Sequence, residues 1–424
     1  MPRRATAPVE FRFGRMQRLL AGPPVRTVTV DGARAEFVTD PVLVRRILVK
    51  DGRNYGKGEL FQKARNLSRA GLLAADESVH RHYRRLAHPY LRTAAVAGYA
   101  PLMRRIARET VTAWRPGQAV DVQAEMCRLA GAIALGTLLG PLPPERSDRL
   151  GRGLATLTWE MIRKPLYGRA AAPARRQAAA QRLTRARAEF RALIASYVAE
   201  QRTSPDPAAG YLPALLADPG RAGCPALSAD EVCDEAVMML TAATATTASV
   251  MSWALYVLAE EPLIEENVLK ALAREGDEEA GPHRVGYPLR FLMEVLRLYP
   301  PVWITCRRTL SDATLGEHTL PAGTHVLFSS YLLHRDPEHH PDPLRFDPDR
   351  WLTTRPSAQD ASYIPFGTGA KGCVGESFAW RELEILLGTV MTEWQLALPP
   401  GSRVRPAADT TLHPRRLVMV PQPR

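Results

Sequence analysis

The chain has 424 residues, 46% hydrophobic and 24% charged, with a formal net charge of +12. That balance is ordinary for a globular protein with a sizeable core; no run approaches the roughly 18 uninterrupted apolar residues of a membrane span, and Met1-Pro2-Arg3-Arg4 leads into no apolar signal core, so a cytoplasmic protein without a membrane partner is expected. The basic excess is dispersed arginine without the aromatic-interleaved clusters of a nucleic-acid binder, which leaves solvated charge or a basic face that steers an acidic protein partner.

Val25 to Val30 and Ala35 to Val38 are predicted as short strands around Asp31-Gly32, and Asp40-Pro41 starts a helical stretch. Most of the chain from there to Glu200 has helical periodicity with Gly and Pro punctuation. A loop rich in Pro, Gly and Ala follows from Ser204 to Leu227. Ser228-Ala-Asp-Glu231 matches a capping box, and the helix it starts is predicted to run to about Glu261, where Pro262 stops it. Its middle, Ala236 to Ala259, carries no charged residue, so it is expected to cross the interior. After residue 300, short apolar runs alternate with Pro, Gly, His and Asp, which predicts strands and loops, then a final helix after Cys373. The expected fold class is mainly α with a smaller β part (α+β), as one domain over 1–424. Its β-containing parts fall at about 25–55 and 301–424, and its helix-rich body at about 56–300.

The five cysteines, Cys127, Cys224, Cys233, Cys306 and Cys373, are odd in number and lack metal-finger spacing, which argues against a disulfide framework. Cys373 differs from the others in its surroundings. The segment Phe366-Gly-Thr-Gly369-Ala-Lys371-Gly-Cys373-Val-Gly375 holds four glycines in nine positions, which lets the backbone bend tightly and approach a flat ligand. Ala379, Leu383, Leu386, Leu387 and Val390 then show helical spacing, so Cys373 sits at a helix N-terminus. That position is expected to lower a thiol pKa and to offer N–H groups to a sulfur anion. A free cysteine in a glycine turn is the alternative.

The loop resembles the cysteine-ligand signature of cytochromes P450: Phe, two residues, Gly, one residue, a basic residue, one residue, Cys, one residue, Gly. Phe366, Gly369, Cys373 and Gly375 match it. Lys371 stands where the family usually has Arg or His contacting a haem propionate; lysine keeps the charge and loses the planar fork. Further constellations follow the family's order. Glu294 and Arg297, in the apolar helical run Phe291 to Tyr299, share a helix face; alone they are a common surface pair. They resemble the Glu-x-x-Arg motif, whose third member would be Arg350, and that triad is implied to be structural. His80 and Arg84 fall on one helix face, alone a solvated basic face, and resemble the helix that grips a propionate. Arg307 resembles a further propionate contact. Ala242-Ala243-Thr244-Ala245-Thr246-Thr247 resembles the oxygen-activation stretch, usually Ala-Gly-x-(Asp/Glu)-Thr. Thr246 matches the threonine, Ala243 replaces the glycine, and Ala245 stands where the acid belongs. A mid-helix threonine can otherwise simply bond a carbonyl one turn earlier.

The resemblance runs from about residue 35 to the C-terminus. It implies a haem-thiolate monooxygenase with haem b (protoporphyrin IX iron), Cys373 as axial ligand, and Thr246 ordering a water or the distal oxygen. One atom of dioxygen would enter an apolar small-molecule substrate, as in the tailoring of terpenoids, polyketides or peptides. With no flavin or iron–sulfur segment visible, electrons are expected from an external ferredoxin and ferredoxin reductase, and the protein is expected to be a monomer. The pocket is expected to draw on the loop from Tyr55 to Leu73, on Leu240 and Ala243, on Val302, Trp303 and Ile304, and on Thr411 and Leu412, against the alternative that each is core packing. Positions 241, 242, 248 and 249 hold no acid, so protons are expected through waters near Thr246, with Thr244, Thr247 or a polar substrate group as helper. Two rival readings stay open: a hydrogen-peroxide-driven peroxygenase, favoured by Ala245, and a non-catalytic haem-binding protein.

Overall fold

The computed structural model describes residues 16–424 except 31, 59–70, 74–76, 164–172, 204–205, 207–209, 219, 222–223, 275–285 and 353–359. Both predicted strands form, as β1 (Val25–Val30) and β2 (Ala33–Val38), paired antiparallel. With β3 (Tyr55–Lys57), β4 (Thr305–Thr309) and β5 (His325–Phe328) they make one five-stranded sheet, in the order β1-β2-β5-β4-β3. β5 runs parallel to β2 and antiparallel to β4. The pairing of β5 with β2, between residues 290 positions apart in the chain, therefore joins strands of both β-containing stretches in this sheet. Asp40 caps the short helix after β2 by accepting from Leu43 N at 2.8 Å, as the Asp-Pro start predicted.

The helical body comprises α1 (Glu77–Leu91), α2 (Thr93–Thr112), α3 (Val122–Leu138), α4 (Pro144–Ile162), α5 (Pro173–Gln201), α6 (Tyr211–Ala217), α7 (Ala229–Glu260), α8 (Pro262–Arg274), α9 (Tyr287–Leu298) and α10 (Glu376–Glu393). α7 is the predicted central helix. Its capping box is complete: Ser228 N donates to Glu231 Oε2 at 2.8 Å, and Glu231 N donates to Ser228 Oγ at 3.3 Å. At 32 residues and a rise of 1.5 Å per residue it spans about 48 Å. Among the described residues it alone is long and apolar enough to cross a membrane, yet α3, α4, α5, α9 and α10 pack around it and bury it. Near the C-terminus, β6 (Trp394–Ala397) pairs with β9 (Val418–Pro423), and β7 (Pro406–Ala408) forms a hairpin with β8 (Leu412–Pro414). The turn of that hairpin reaches α7, where Ser249 Oγ and Thr411 Oγ1 lie 3.0 Å apart.

Candidate active site

The cysteine loop closes on itself through backbone bonds. Cys373 N donates to Phe366 O at 2.8 Å, and Gly372 N to Gly369 O at 3.0 Å. Gly369 has φ +72°, and a Cβ there would stand 2.2 Å from Leu48 O, so no larger residue fits. A Cβ on Gly375 would lie 3.9 Å from the Cys373 sulfur; glycine keeps that side of the sulfur open. A cavity of about 550 Å³ opens on the α9 and α10 side of the loop, lined among others by Arg84, Met293, Phe366, Gly369, Cys373 and Trp380. The Cys373 side chain has open surface, but protein surrounds it. Burial therefore pushes its thiol up, against the Gly375 N–H and Arg84, which lower it. The expected lowering by the helix terminus is thus corrected: burial outweighs the local dipole. A sulfur anion here needs a cation bound directly to it.

Cations converge beside the loop. His80 is buried at 4% exposure, and its pKa is pushed down to about 3, by burial first and then by Lys57, Arg84, Lys371 and Arg307. Every charge acting on it is positive. Arg84 NH1 donates to Gly372 O at 2.6 Å and Lys371 Nζ to Gly52 O at 2.9 Å, which ties both to the loop's surroundings. Arg307 is buried on β4 and donates to Cys306 O at 3.0 Å. Lys57, which the sequence reading missed, donates to Leu72 O. Cations gathered at one place, Arg307 buried and Lys57, Arg84 and Lys371 half-buried, suit an anionic ligand, and a haem brings two carboxylates. The donor set therefore fits the cofactor: one sulfur, a glycine-lined approach, and an electropositive nest.

The predicted triad assembles. Glu294 and Arg297 are fully buried and form a two-bond pair at 2.8 and 2.9 Å. Arg350 Nε adds a bond to Glu294 Oε1 at 2.9 Å and Trp351 Nε1 one to Oε2 at 3.0 Å. Arg297 also donates to the carbonyls of His334, Pro343 and Arg345. His334, likewise missed, links this cluster to the loop. Its Nε2 accepts from Ile364 N at 2.9 Å while its Nδ1 lies 3.2 Å from Arg297 O, which assigns the proton to Nδ1. Burial, then His340 and Arg297, holds His334 well below the usual histidine range.

On α7, Ala242, Ala243 and Thr246 are half-buried where their neighbours 244, 245, 247 and 248 are buried. These three share one face and mark the side of the helix that is open. Thr246 Oγ1 donates to Ala242 O at 2.9 Å, the local bond any mid-helix threonine can make; its lone pairs stay free to accept. Thr244 is turned into the α3 side, buried, bonding Leu240 O at 2.7 Å, so it does not reach the open face. Thr247 faces α10 and donates to Glu382 Oε2 at 2.7 Å.

Several expected pocket residues are corrected. Leu240, Trp303, Ile304 and Leu412 have 0–1% exposure and pack as core, the last three in one cluster with Val28 and Phe37. Trp303 is pinned by its Nε1 bond to Asp409 O at 3.0 Å. Thr411 is buried too, against Ser249. Ala243 keeps open surface, and Val302 is 45% exposed. Most of the Tyr55 to Leu73 loop, residues 59–70, lies outside the described residues.

Comparison with known proteins decides the family. Residues 21–424 match the family described as Cytochrome P450. The chain belongs to that family. Cyclooctatin synthase of Streptomyces melanosporofaciens is 33% identical over 91% of this P450 and 85% of its own length. Pentalenene oxygenase of Streptomyces avermitilis is 32% identical over 95% and 91%, and a cyclooctat-9-en-7-ol 5-monooxygenase of S. melanosporofaciens is 31% identical over 94% and 88%. The fold matches the crystal structure of the cytochrome P450DA heme domain, with a TM-score of 0.81 at 21% identity over 97% and 92% of the two chains. This P450 is accordingly an oxygen-incorporating oxidoreductase, and its cofactor is protoporphyrin IX iron.

Proposed function

We propose that this P450 oxidises a cyclic hydrocarbon or its alcohol, of terpenoid kind, in natural-product biosynthesis in the cytoplasm, with electrons from an external ferredoxin and its reductase. The observation that carries the site assignment is Cys373, presented from a glycine loop beside a cluster of cations. The substrate class rests on three relatives of 31–33% identity whose names specify such compounds. The net charge of +12 suits an acidic electron donor.

Cys373 would give its thiolate to the iron, with the Gly375 N–H and Arg84 favouring the anion. His80, Arg84, Arg307 and Lys371, joined by Lys57, would hold the propionates. Phe366, Gly369 and Gly375 shape the approach, and Glu294, Arg297 and Arg350 brace the segment leading into it. When bound, the haem supplies dioxygen activation and the insertion of one oxygen atom, the other leaving as water. Thr246, on the open face of α7, would accept a hydrogen bond from a water and keep it in place. Ala243 leaves room beside it for an apolar substrate.

Purified holoenzyme tests this. Its reduced carbon monoxide complex should absorb at the long wavelength characteristic of thiolate ligation, and Cys373→Ala should lose that band. Pentalenene and cyclooctat-9-en-7-ol should shift the iron's spin state, whereas polyketide and peptide probes should not. Product should form with ferredoxin, reductase and NADPH. Turnover with hydrogen peroxide but none with ferredoxin would replace this reading with the peroxygenase that Ala245 allows.

A further inference from the structure

Three oxidisable rings meet where α7 runs on from its open face. Trp253 follows Thr246 by seven positions, so it lies on nearly the same face of the helix, about 10 Å further along. It is 2% exposed. Its indole stacks on the ring of Tyr299, at the end of α9, with centroids 4.1 Å apart and planes within 10°. The Tyr256 ring meets the same indole edge-on, at 5.7 Å and 77°. Both tyrosines are half-buried, so the group leads from a buried indole towards the surface.

Indole and phenol give up one electron more readily than the other rings in a protein, and a phenol does so easily only when its proton has a base to go to. The three rings differ in that respect. Trp253 Nε1 donates to Leu412 O at 3.2 Å, a neutral carbonyl that accepts a hydrogen bond and takes no proton. Burial pushes Tyr299 up to about 12, and the charge acting on it is the Arg335 cation. Tyr256 instead bonds the carboxylate of Glu260, at the exposed end of α7, and a carboxylate is both a strong acceptor and a base. An electron lost by the indole is therefore most easily replaced from Tyr256. The Leu412 bond ties the β7–β8 hairpin to α7, but that tie requires neither phenol, and phenylalanine would fill both ring positions without a hydroxyl to satisfy.

We propose that Trp253 and Tyr256 form a relay that carries one-electron oxidising equivalents from the haem site to the protein surface when no substrate consumes them. Trp253 gives one electron towards the site, and Tyr256 refills it, losing its phenolic proton to Glu260 as its electron leaves. The stacked face of Tyr299 favours the positive charge on the indole while it is oxidised. Two such events, with two protons from solvent, reduce one hydrogen peroxide to two waters. Two thiols in solution then return two electrons, becoming a disulfide and releasing two protons, while Glu260 gives back the phenolic proton each time. The protein is left unchanged and the oxidant is spent away from the haem.

Haem-loaded enzyme mixed with hydrogen peroxide, without any organic substrate, and frozen rapidly tests this. Electron paramagnetic resonance should show a tyrosyl radical in the wild type. Tyr256→Phe should lose that signal and leave an indole radical in its place, and Trp253→Phe should lose both. Glu260→Gln, which keeps a hydrogen-bond acceptor but no base, should lose the tyrosyl signal and keep the indole one. With glutathione added, the haem absorbance of Tyr256→Phe should bleach sooner under peroxide than that of the wild type, while its reduced carbon monoxide band stays unchanged. A wild type without a protein radical, a tyrosyl signal that survives in Tyr256→Phe, or bleaching of Tyr256→Phe at the wild-type rate overturns the proposal. If Trp253→Phe fails to load haem, Tyr256→Phe and Glu260→Gln, both changed towards the surface end of α7, decide by the same readings. Neither a terpenoid substrate nor a ferredoxin enters the measurement, so the proposed function can fail without moving its outcome.

Discussion

The cysteine loop and the middle of the central helix are built in opposite ways. The loop is held from outside. Arg84, Lys371, His334 and Tyr363 tie it and its approach to residues 30 to 319 positions away. The helix stretch is held from within, since the hydroxyls of Thr241, Thr244, Thr246, Ser249 and Ser252 all bond carbonyls four residues back. Only Thr247 and Ser249 reach across to other elements. An irregular segment has no ladder of its own and must be fixed by tertiary partners, whereas a helix can carry functional side chains without them. Mutations behind the loop should therefore cost stability, and mutations on the open face of the helix should cost chemistry.

Glu294→Ala presses this contrast hardest. It leaves Arg297 buried with its carboxylate gone and removes the acceptor of Arg350, Trp351 and Asp347 N. Breaking a buried, hydrogen-bonded ion pair costs about 3–5 kcal/mol. The variant should retain little haem, measured as the ratio of haem to protein absorbance after purification. A stable, fully loaded Glu294→Ala would show that the loop does not depend on its external braces.

His334 gives a smaller and continuous effect. Its folded pKa lies well below the ordinary 6.5, so the unfolded chain binds the extra proton as pH falls. The contribution is complete above pH 6.5 and declines below it, by about 1.4 kcal/mol per pH unit. His334→Gln can keep both hydrogen bonds, to Ile364 N and Arg297 O, without titrating. Denaturation midpoints at pH 7.5, 6.5 and 5.5 should show the variant losing less stability on acidification than the wild type. Identical slopes would move the titrating group elsewhere.

The same contrast explains what could be read from the sequence. The loop was legible because its demands are local and chemically odd: Gly369 at φ +72°, Gly375 beside the sulfur, and a lone cysteine between them. Glu294 and Arg297 were legible as charges set in an apolar helix. The direction of the Cys373 shift was not, because it is set by desolvation, which sequence does not record. Leu240, Trp303, Ile304 and Leu412 were misplaced because an apolar residue in a periodic pattern looks the same whether it lines a cavity or fills a core. Glu382 was invisible. Arg381-Glu382-Leu383-Glu384 resembles any charged helix turn, and its partner Thr247 lies 135 positions away. The sheet order was equally hidden, since nothing local marks β2 as the parallel neighbour of β5.

Thr246→Ala should have the smallest effect on stability and so sharpens the contrast from the other side. Thr246 is half-buried and bonds only a carbonyl of its own helix. Removing the hydroxyl returns that carbonyl to its ordinary helix bond, and alanine is the better helix former by up to about 0.7 kcal/mol. The net change in stability should stay within about 1 kcal/mol, and haem content should be unchanged. The chemistry should change more: losing one hydrogen bond to a positioned water is worth about 0.5–1.5 kcal/mol, so product formed per NADPH should fall up to about tenfold, with Thr246→Ser retaining most of it. A Thr246→Ala variant that melts as early as Glu294→Ala would make this stretch a structural element like the loop. One that couples as well as the wild type would leave the Ala242 bond as the whole role of this threonine, and the open face of α7 would need another residue to hold its water.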